Sequence, residues 1–330
     1  MEMKTNQTQK QNKANVWTLE EMLTDVQSVA IAGHIKPDGD CVGSTLALYN
    51  YIKDYYPHIQ VTLYLEPIPN LFKFLQRSNE IVSDCTEDIV YDVFFALDCG
   101  DTGRLGAAEK YFCAAKKTVC VDHHISNQCY AQWNRVVPEA SSASELVFEL
   151  LDEAKITKEI AECLYVGIIH DTGVFQYSCT SSKTMNIAGR LMDKGIDYPN
   201  IVDKTFFEKT FEQNQILGTA LLHALRFFDG RCIASIITLK DMEQCHAQPK
   251  HLEGIVAQLR STKDVDVAIL IYENADGSYK VSMRTNGAVD VAKICVAHGG
   301  GGHVRAAGAT MVGDPETILQ TLLKDVEAQL

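Results

Sequence analysis

Acidic and imidazole side chains gather in four short clusters along this chain. They are Gly33-His34-Ile35-Lys36-Pro37-Asp38-Gly39-Asp40, Leu97-Asp98-Cys99-Gly100-Asp101, Val121-Asp122-His123-His124 and Gly167-Ile168-Ile169-His170-Asp171-Thr172-Gly173. Taken singly, each reads as a helix cap, a turn or a structural histidine. Taken together, Asp38, Asp40, Asp98 and Asp171 converging in one cleft would repel one another strongly unless cations compensated them. Two divalent ions supply that compensation, and carboxylates with a few imidazoles suit manganese best, with magnesium or cobalt as substitutes. Two such ions about 3.5–4 Å apart clamp both oxygens of an in-line phosphoryl displacement and lower the pKa of a shared water, which is the chemistry of phosphoester hydrolysis. Asp38 and Asp40 lie two apart, so in an extended loop they point the same way with room for one ion each, and Gly39 lets the backbone bend between them. Gly43 and Ser44 are expected at the start of a helix, capping it and turning its N-terminus to the site.

These clusters need elements to position them. Val29–Ala32, Val61–Leu65, Val93–Leu97 and Thr118–Val121 are apolar on both faces and predict buried strands of a parallel sheet. Helical spacing runs over Val42–Tyr55, Ser142–Ala154, Lys158–Ile169 and Lys183–Lys194, the last closed by Gly195. Alternation of this kind predicts an α/β fold, an N-terminal doubly wound and mostly parallel sheet whose ligands bind at the carboxyl ends of the strands. Residues 198–228 read as one long helical linker. Beyond it, strands at Cys232–Ile237, Val265–Tyr272 and Tyr279–Arg284 with helices at His251–Leu259 and Val289–His298 predict a smaller α+β domain. The expected division is a tail over 1–15, a catalytic domain over 16–197, the linker, and a substrate-binding domain over 229–330.

Composition narrows the partners. A formal net charge of −13 argues against a broad surface for long duplex nucleic acid but leaves room for a small anionic ligand. Eleven scattered cysteines with no C-x-x-C pair favour neither a zinc ribbon nor a disulfide framework, and suit a reducing compartment. None of them is needed for the metal site. The absence of an apolar leader or of roughly 18 uninterrupted apolar residues leads us to expect a cytoplasmic protein without membrane partners. The sequence leaves a homodimer open.

The ordered set His34-x-x-x-Asp38-x-Asp40-x-x-Gly43-Ser44, Asp98, Asp122-His123-His124 and Asp171-Thr172-Gly173, followed by Gly299-Gly300-Gly301-Gly302-His303-x-x-Ala306-Ala307-Gly308, resembles the DHH-superfamily phosphoesterases of the bacterial nanoRNase and pAp-phosphatase group. The resemblance implies that His34, Asp38 and Asp98 hold one ion while Asp40, Asp98, His123 and Asp171 hold the other, with Asp98 bridging. It implies that His124 faces the substrate phosphate and that Asp122 orients a neighbouring group. His170 departs from the family pattern, where a small polar residue is expected, and is read as structural rather than as a ligand.

In the second domain, Ser282 and Arg284 share one face of an expected strand, and Arg284 has the fork that suits a phosphate. Arg284 alone would read as a solvated surface arginine; the resemblance favours binding. Gly300, Gly301 and Gly302 are expected to leave backbone amides free for an anion, with His303 as a further donor. The expected substrates are very short RNA or DNA and 3′-phosphoadenosine-5′-phosphate, yielding nucleoside monophosphates. Within the same chemistry, a pyrophosphatase, a phosphodiesterase for linear or cyclic dinucleotides and a RecJ-like exonuclease are rivals; a nucleotide-sensing binding protein is the rival of another class. A dinucleotide-cofactor enzyme fails at the first strand, which lacks the glycine-rich turn.

Overall fold

In a computed structural model, which describes residues 17–287 and 289–330, the chain divides between Glu208 and Lys209 into two units. The expected tail over 1–15 lies outside the described residues.

The first unit is built on β1 (Ser28–Ala32), β2 (Gln60–Tyr64), β3 (Val93–Leu97), β4 (Lys117–Asp122) and β5 (Trp133–Val136), all paired in parallel in the order β2-β1-β3-β4-β5. Its apolar runs are continuous because alternate residues serve two cores. Val29, Ile31, Val93, Phe95 and Leu97 enter one cluster, while Ala30, Ala32, Phe94 and Ala96 enter the other. Helices α1 (Leu19–Leu23), α2 (Gly39–Tyr55), α3 (Glu109–Ala114), α4 (Ala143–Leu150), α5 (Lys158–Asp171), α6 (Ser182–Met192) and α7 (Tyr198–Val202) complete the unit. The strand order reverses between β1 and β3, so the crevice at their carboxyl ends is the place this architecture offers a ligand.

Three local expectations change. Asp38 and Asp40 do not share an extended loop, because Asp38 is the N-cap of α2, accepting from the amides of Asp40 and Cys41, and Asp40 lies in the first turn. Gly43 and Ser44 therefore sit inside α2 rather than at its cap. A Cβ on Gly43 would stand 2.4 Å from the carbonyl oxygen of Cys163, so this glycine exists for the close approach of α5. The expected continuous helix over 198–228 is interrupted: a π-helical turn, Asp203–Phe207, follows α7, and α8 (Phe211–Leu222) starts afresh from Thr210, whose capping box with Gln213 terminates any helix arriving from before it.

The second unit carries β6 (Leu225–Phe227), β7 (Cys232–Ile237), β8 (Val267–Glu273), β9 (Ser278–Thr285), β10 (Gly301–His303) and β11 (Ala306–Val312), in the order β10-β11-β9-β8-β7-β6. Only the β7–β8 pair is parallel among the described residues. The unit also contains α9 (Leu239–Gln244), α10 (Ile255–Arg260), α11 (Val291–Ala297) and α12 (Pro315–Glu327). Its sheet again separates two cores, Val267, Ile269 and Ile271 facing one and Ala268 and Leu270 the other. Among the described residues, no helix is long and apolar enough to cross a membrane.

Candidate metal centre

Three strands and two helices deliver the acidic and imidazole groups to one place. His34 follows β1, Asp98 follows β3, and Asp122, His123 and His124 end or follow β4; Asp38 and Asp40 open α2, and Asp171 closes α5. Asp98 adopts a left-handed backbone with φ of 51°, and its amide donates to Val121 O across 3.0 Å.

The carboxylate of Asp98 spans two groups of side chains. Its Oδ2 lies 3.4 Å from His34 Nε2, which is also 3.5 Å from Asp38 Oδ2. Its Oδ1 lies 3.6 Å from His123 Nε2, which in turn stands 3.0 Å from Asp171 Oδ2 and 3.9 Å from Asp40 Oδ2. The His34 Nδ1 is 2.8 Å from Ile35 O, and donation there fixes the tautomer with Nε2 turned to the acids. Asp40 is wholly buried and accepts from the amides of Ala143 at 2.5 Å and Ser144 at 2.9 Å, the first turn of α4. A helix N-terminus thus offsets part of its charge.

Electrostatics show a centre short of positive charge. Burial and the neighbouring Asp98 and Asp171 push the Asp40 carboxyl well above the usual range. Burial alone would lower the two imidazoles, but hydrogen bonding to Asp38 and Asp98 carries His34 up to about 10, and Asp171 with Asp98 carries His123 up to about 11. Asp98 Oδ1, on a side chain only 3% exposed, has no hydrogen-bond partner among the described residues. Ligand atoms of Asp40, His123 and Asp171, and of Asp98, His123 and His124, lie mutually within 4.8 Å. Unpartnered buried oxygen, crowded carboxylates and convergent imidazoles fit divalent cations, which would take the place of those protons.

Asp122 accepts at Oδ2 from Asn127 Nδ2 across 2.6 Å and pairs through Oδ1 with His124 Nδ1 at 2.7 Å. It therefore orients His124 and leaves that ring's Nε2 available. His170 packs its ring edge-on to Phe72 and Phe206 and against Gly39, where a Cβ would stand 2.3 Å from its Cγ. Burial lowers it to about 4, a neutral packing residue.

Residues 28–168 match the N-terminal domain of the DHH family, and residues 231–330 match the DHHA1 domain. The chain carries a DHH-family N-terminal domain followed by a DHHA1 domain. It is 28% identical to the bifunctional oligoribonuclease and PAP phosphatase NrnA of Thermus thermophilus, over 94% of this chain and 93% of that one. It is 26% identical to the protein of the same name from Bacillus subtilis, over 91% and 96%. Its fold matches an exopolyphosphatase-related protein from Bacteroides fragilis with a TM-score of 0.81 at 24% identity, covering 93% of this chain and 94% of that one.

In the DHHA1 domain, the register places Arg284 opposite Ala306 and Ala306 opposite His303, and places Ser282 opposite Gly308 and Gly308 opposite Gly301. Directly opposed residues share a face, so Ser282, Arg284 and His303 rise from one side of the sheet. Arg284 forms no ion pair among the described residues. The glycine run differs from expectation. The amides of Gly299 and Gly300 donate to Val296 O and Cys295 O, so the Gly300 amide is taken up by the fold, while Gly301–His303 is an edge strand paired with β11, where only alternate residues exchange hydrogen bonds. A Cβ on Gly302, at φ 144°, would stand 2.5 Å from Ala306 O, which explains the glycine there.

Sequence reasoning missed three neighbours of this centre: the thiol of Cys41 beside His34 and Asp98, the amide of Asn127 that holds Asp122, and the α4 amides that hold Asp40. The serines 141, 142 and 144 ahead of an apolar run were a visible N-terminus signal for α4. Nothing local marked Asn127.

Proposed function

We propose that this DHH-family chain is a metal-dependent phosphoesterase that hydrolyses very short oligoribonucleotides and 3′-phosphoadenosine-5′-phosphate to nucleoside monophosphates, using two divalent ions, manganese foremost. The observation that carries this reading is the Asp98 carboxylate, one oxygen toward His34 and the other toward His123. His34, Asp38 and Asp98 would hold one ion, and Asp40, Asp98, His123 and Asp171 the other. When bound, the ions supply charge neutralisation at phosphorus and a water acidic enough to attack at neutral pH.

The protein's own groups do the rest. His124, held by Asp122, presents Nε2 to a non-bridging phosphate oxygen and stabilises the charge that grows there. Asp40 stays anchored by α4 and so fixes its side of the centre. Arg284, Ser282 and His303, on one face of the DHHA1 sheet, offer donors to a phosphate, and Gly301 leaves that face free of a side chain beside them. The names of the NrnA relatives supply the substrate class.

The test is metal-stripped protein, with and without manganese, against 3′-phosphoadenosine-5′-phosphate, pyrophosphate, linear and cyclic dinucleotides and end-labelled oligonucleotides. Manganese-dependent release of mononucleotides or phosphate, lost in Asp98→Ala, is the expected result. Turnover confined to pyrophosphate or to cyclic dinucleotides would reassign the substrate, and no turnover with ions bound would move the chain to the sensing class.

A further inference from the structure

Cys41 stands three residues after the α2 cap, and its side chain turns back toward the end of β1. The thiol, a His34 ring nitrogen and an Asp98 carboxylate oxygen lie mutually within 4.8 Å, on three buried residues. Gly33 makes this possible, since a Cβ there would stand 2.2 Å from Cys41 Sγ. The polar neighbour recorded for the sulfur is His34 O at 3.8 Å, a weak contact that leaves its lone pairs free. Asp98, 98% buried, turns Oδ2 to this group, 3.4 Å from His34 Nε2, while its Oδ1, on the His123 side, has no hydrogen-bond partner among the described residues.

We propose that Cys41 is a sulfur ligand beside His34 and Asp98, making this half of the centre a site for thiophilic divalent ions such as zinc or cadmium. The proposal rests on the reading that His34 and Asp98 hold a metal. Manganese, a harder ion, prefers the oxygen of Asp38 to sulfur; zinc and cadmium favour the thiolate, so the ion chooses between two overlapping donor sets. Donors 2.0–2.3 Å from one tetrahedral ion stand roughly 3.5 Å apart, which side-chain rotations can reach from the present spacing. As the sulfur–metal bond forms, the thiol proton passes to the buffer. An ion held this way would sit on His34 and Asp98 with a different charge and geometry from manganese, and would therefore compete with it and slow the reaction.

The test uses the metal-stripped full chain, loaded with cobalt as a spectroscopic probe and separately titrated with zinc and manganese. Cobalt retained with a near-ultraviolet sulfur-to-cobalt charge-transfer band is expected, together with loss of that band in both Cys41→Ala and Cys41→Ser, each checked for folding by circular dichroism. Zinc affinity relative to manganese should fall at least about tenfold in either variant. Retained cobalt without the band, or a band unchanged in the variants, overturns the sulfur ligand and leaves the phosphoesterase reading standing. No retained cobalt overturns both.

Discussion

Asp98 pays for its position with backbone strain, at a φ of 51° that aspartate tolerates better than most residues because its short side chain can bond locally. Asp98→Asn keeps the shape and removes the charge. It should lower ion affinity by more than about a hundredfold, beyond the range seen for groups that only support a ligand, while leaving the melting temperature of the stripped protein close to wild type or higher. Equilibrium dialysis and a thermal melt check this. Asp122 acts one step removed, through His124, so Asp122→Asn should cut kcat about 10–100-fold with KM and ion stoichiometry little changed. A fall in bound ion instead would make it part of the ligand shell. At this scale the acids were legible only together: one carboxylate at the end of an apolar run reads as a cap or a turn, whereas four converging on one cleft call for cations. Cys41 was not, since the same residue type fills cores; nor were the amides of Ala143 and Ser144, which reach Asp40 across more than a hundred residues.

Elements set the spacing of those residues. Helix α2 leaves the centre and α5 returns to it, and they touch where Gly43 meets Cys163 and Gly167. A Cβ on Gly167 would stand 2.6 Å from Asp40 Oδ1, so Gly167→Ala should push α5 off α2, destabilise the protein by about 1–3 kcal/mol and weaken ion binding, as denaturant melts and metal titration would report. At the opposite end of the sheet, Asp92 ties strands together: its carboxylate accepts from Lys116 Nζ at 2.7 Å and from the amides of Gln27 and Ser28 at 2.9 and 3.0 Å. Lys116 and those amides hold it down to about 2. A depressed carboxylate contributes stability that is complete above about pH 4 and is lost as pH falls through about 2. Asp92→Asn should therefore lower the melting temperature at neutral pH and flatten the acid limb of the stability profile. Strands β1, β3 and β4 were legible from two-sided apolarity, whereas the short β5, with polar Asn134 and Arg135, gave no such run. The interruption at Thr210 was signalled by its capping box but hidden under a continuous apolar pattern.

At the scale of the molecule, a net charge of −13 must coexist with the anionic substrate proposed above. Contacts to about two phosphates predict that KM for a dinucleotide rises only about sevenfold between 50 and 200 mM salt, and that long duplex DNA does not compete. A much steeper salt dependence would demand a basic track that the composition does not suggest. The two-domain order was legible because the motifs run through both halves; the hairpin of β10 and β11 was not, since glycine runs mark turns and close strand contacts alike. One feature of the centre bears on how it is filled. Asp38 is 59% exposed and Asp171 25%, while Asp98 is 3% and Asp40 0% exposed. On the proposed ligand set the centre thus has a doorway and a floor: an arriving ion would meet Asp38 or Asp171 first and Asp98 last, so loading would follow a route in time as well as a list of ligands.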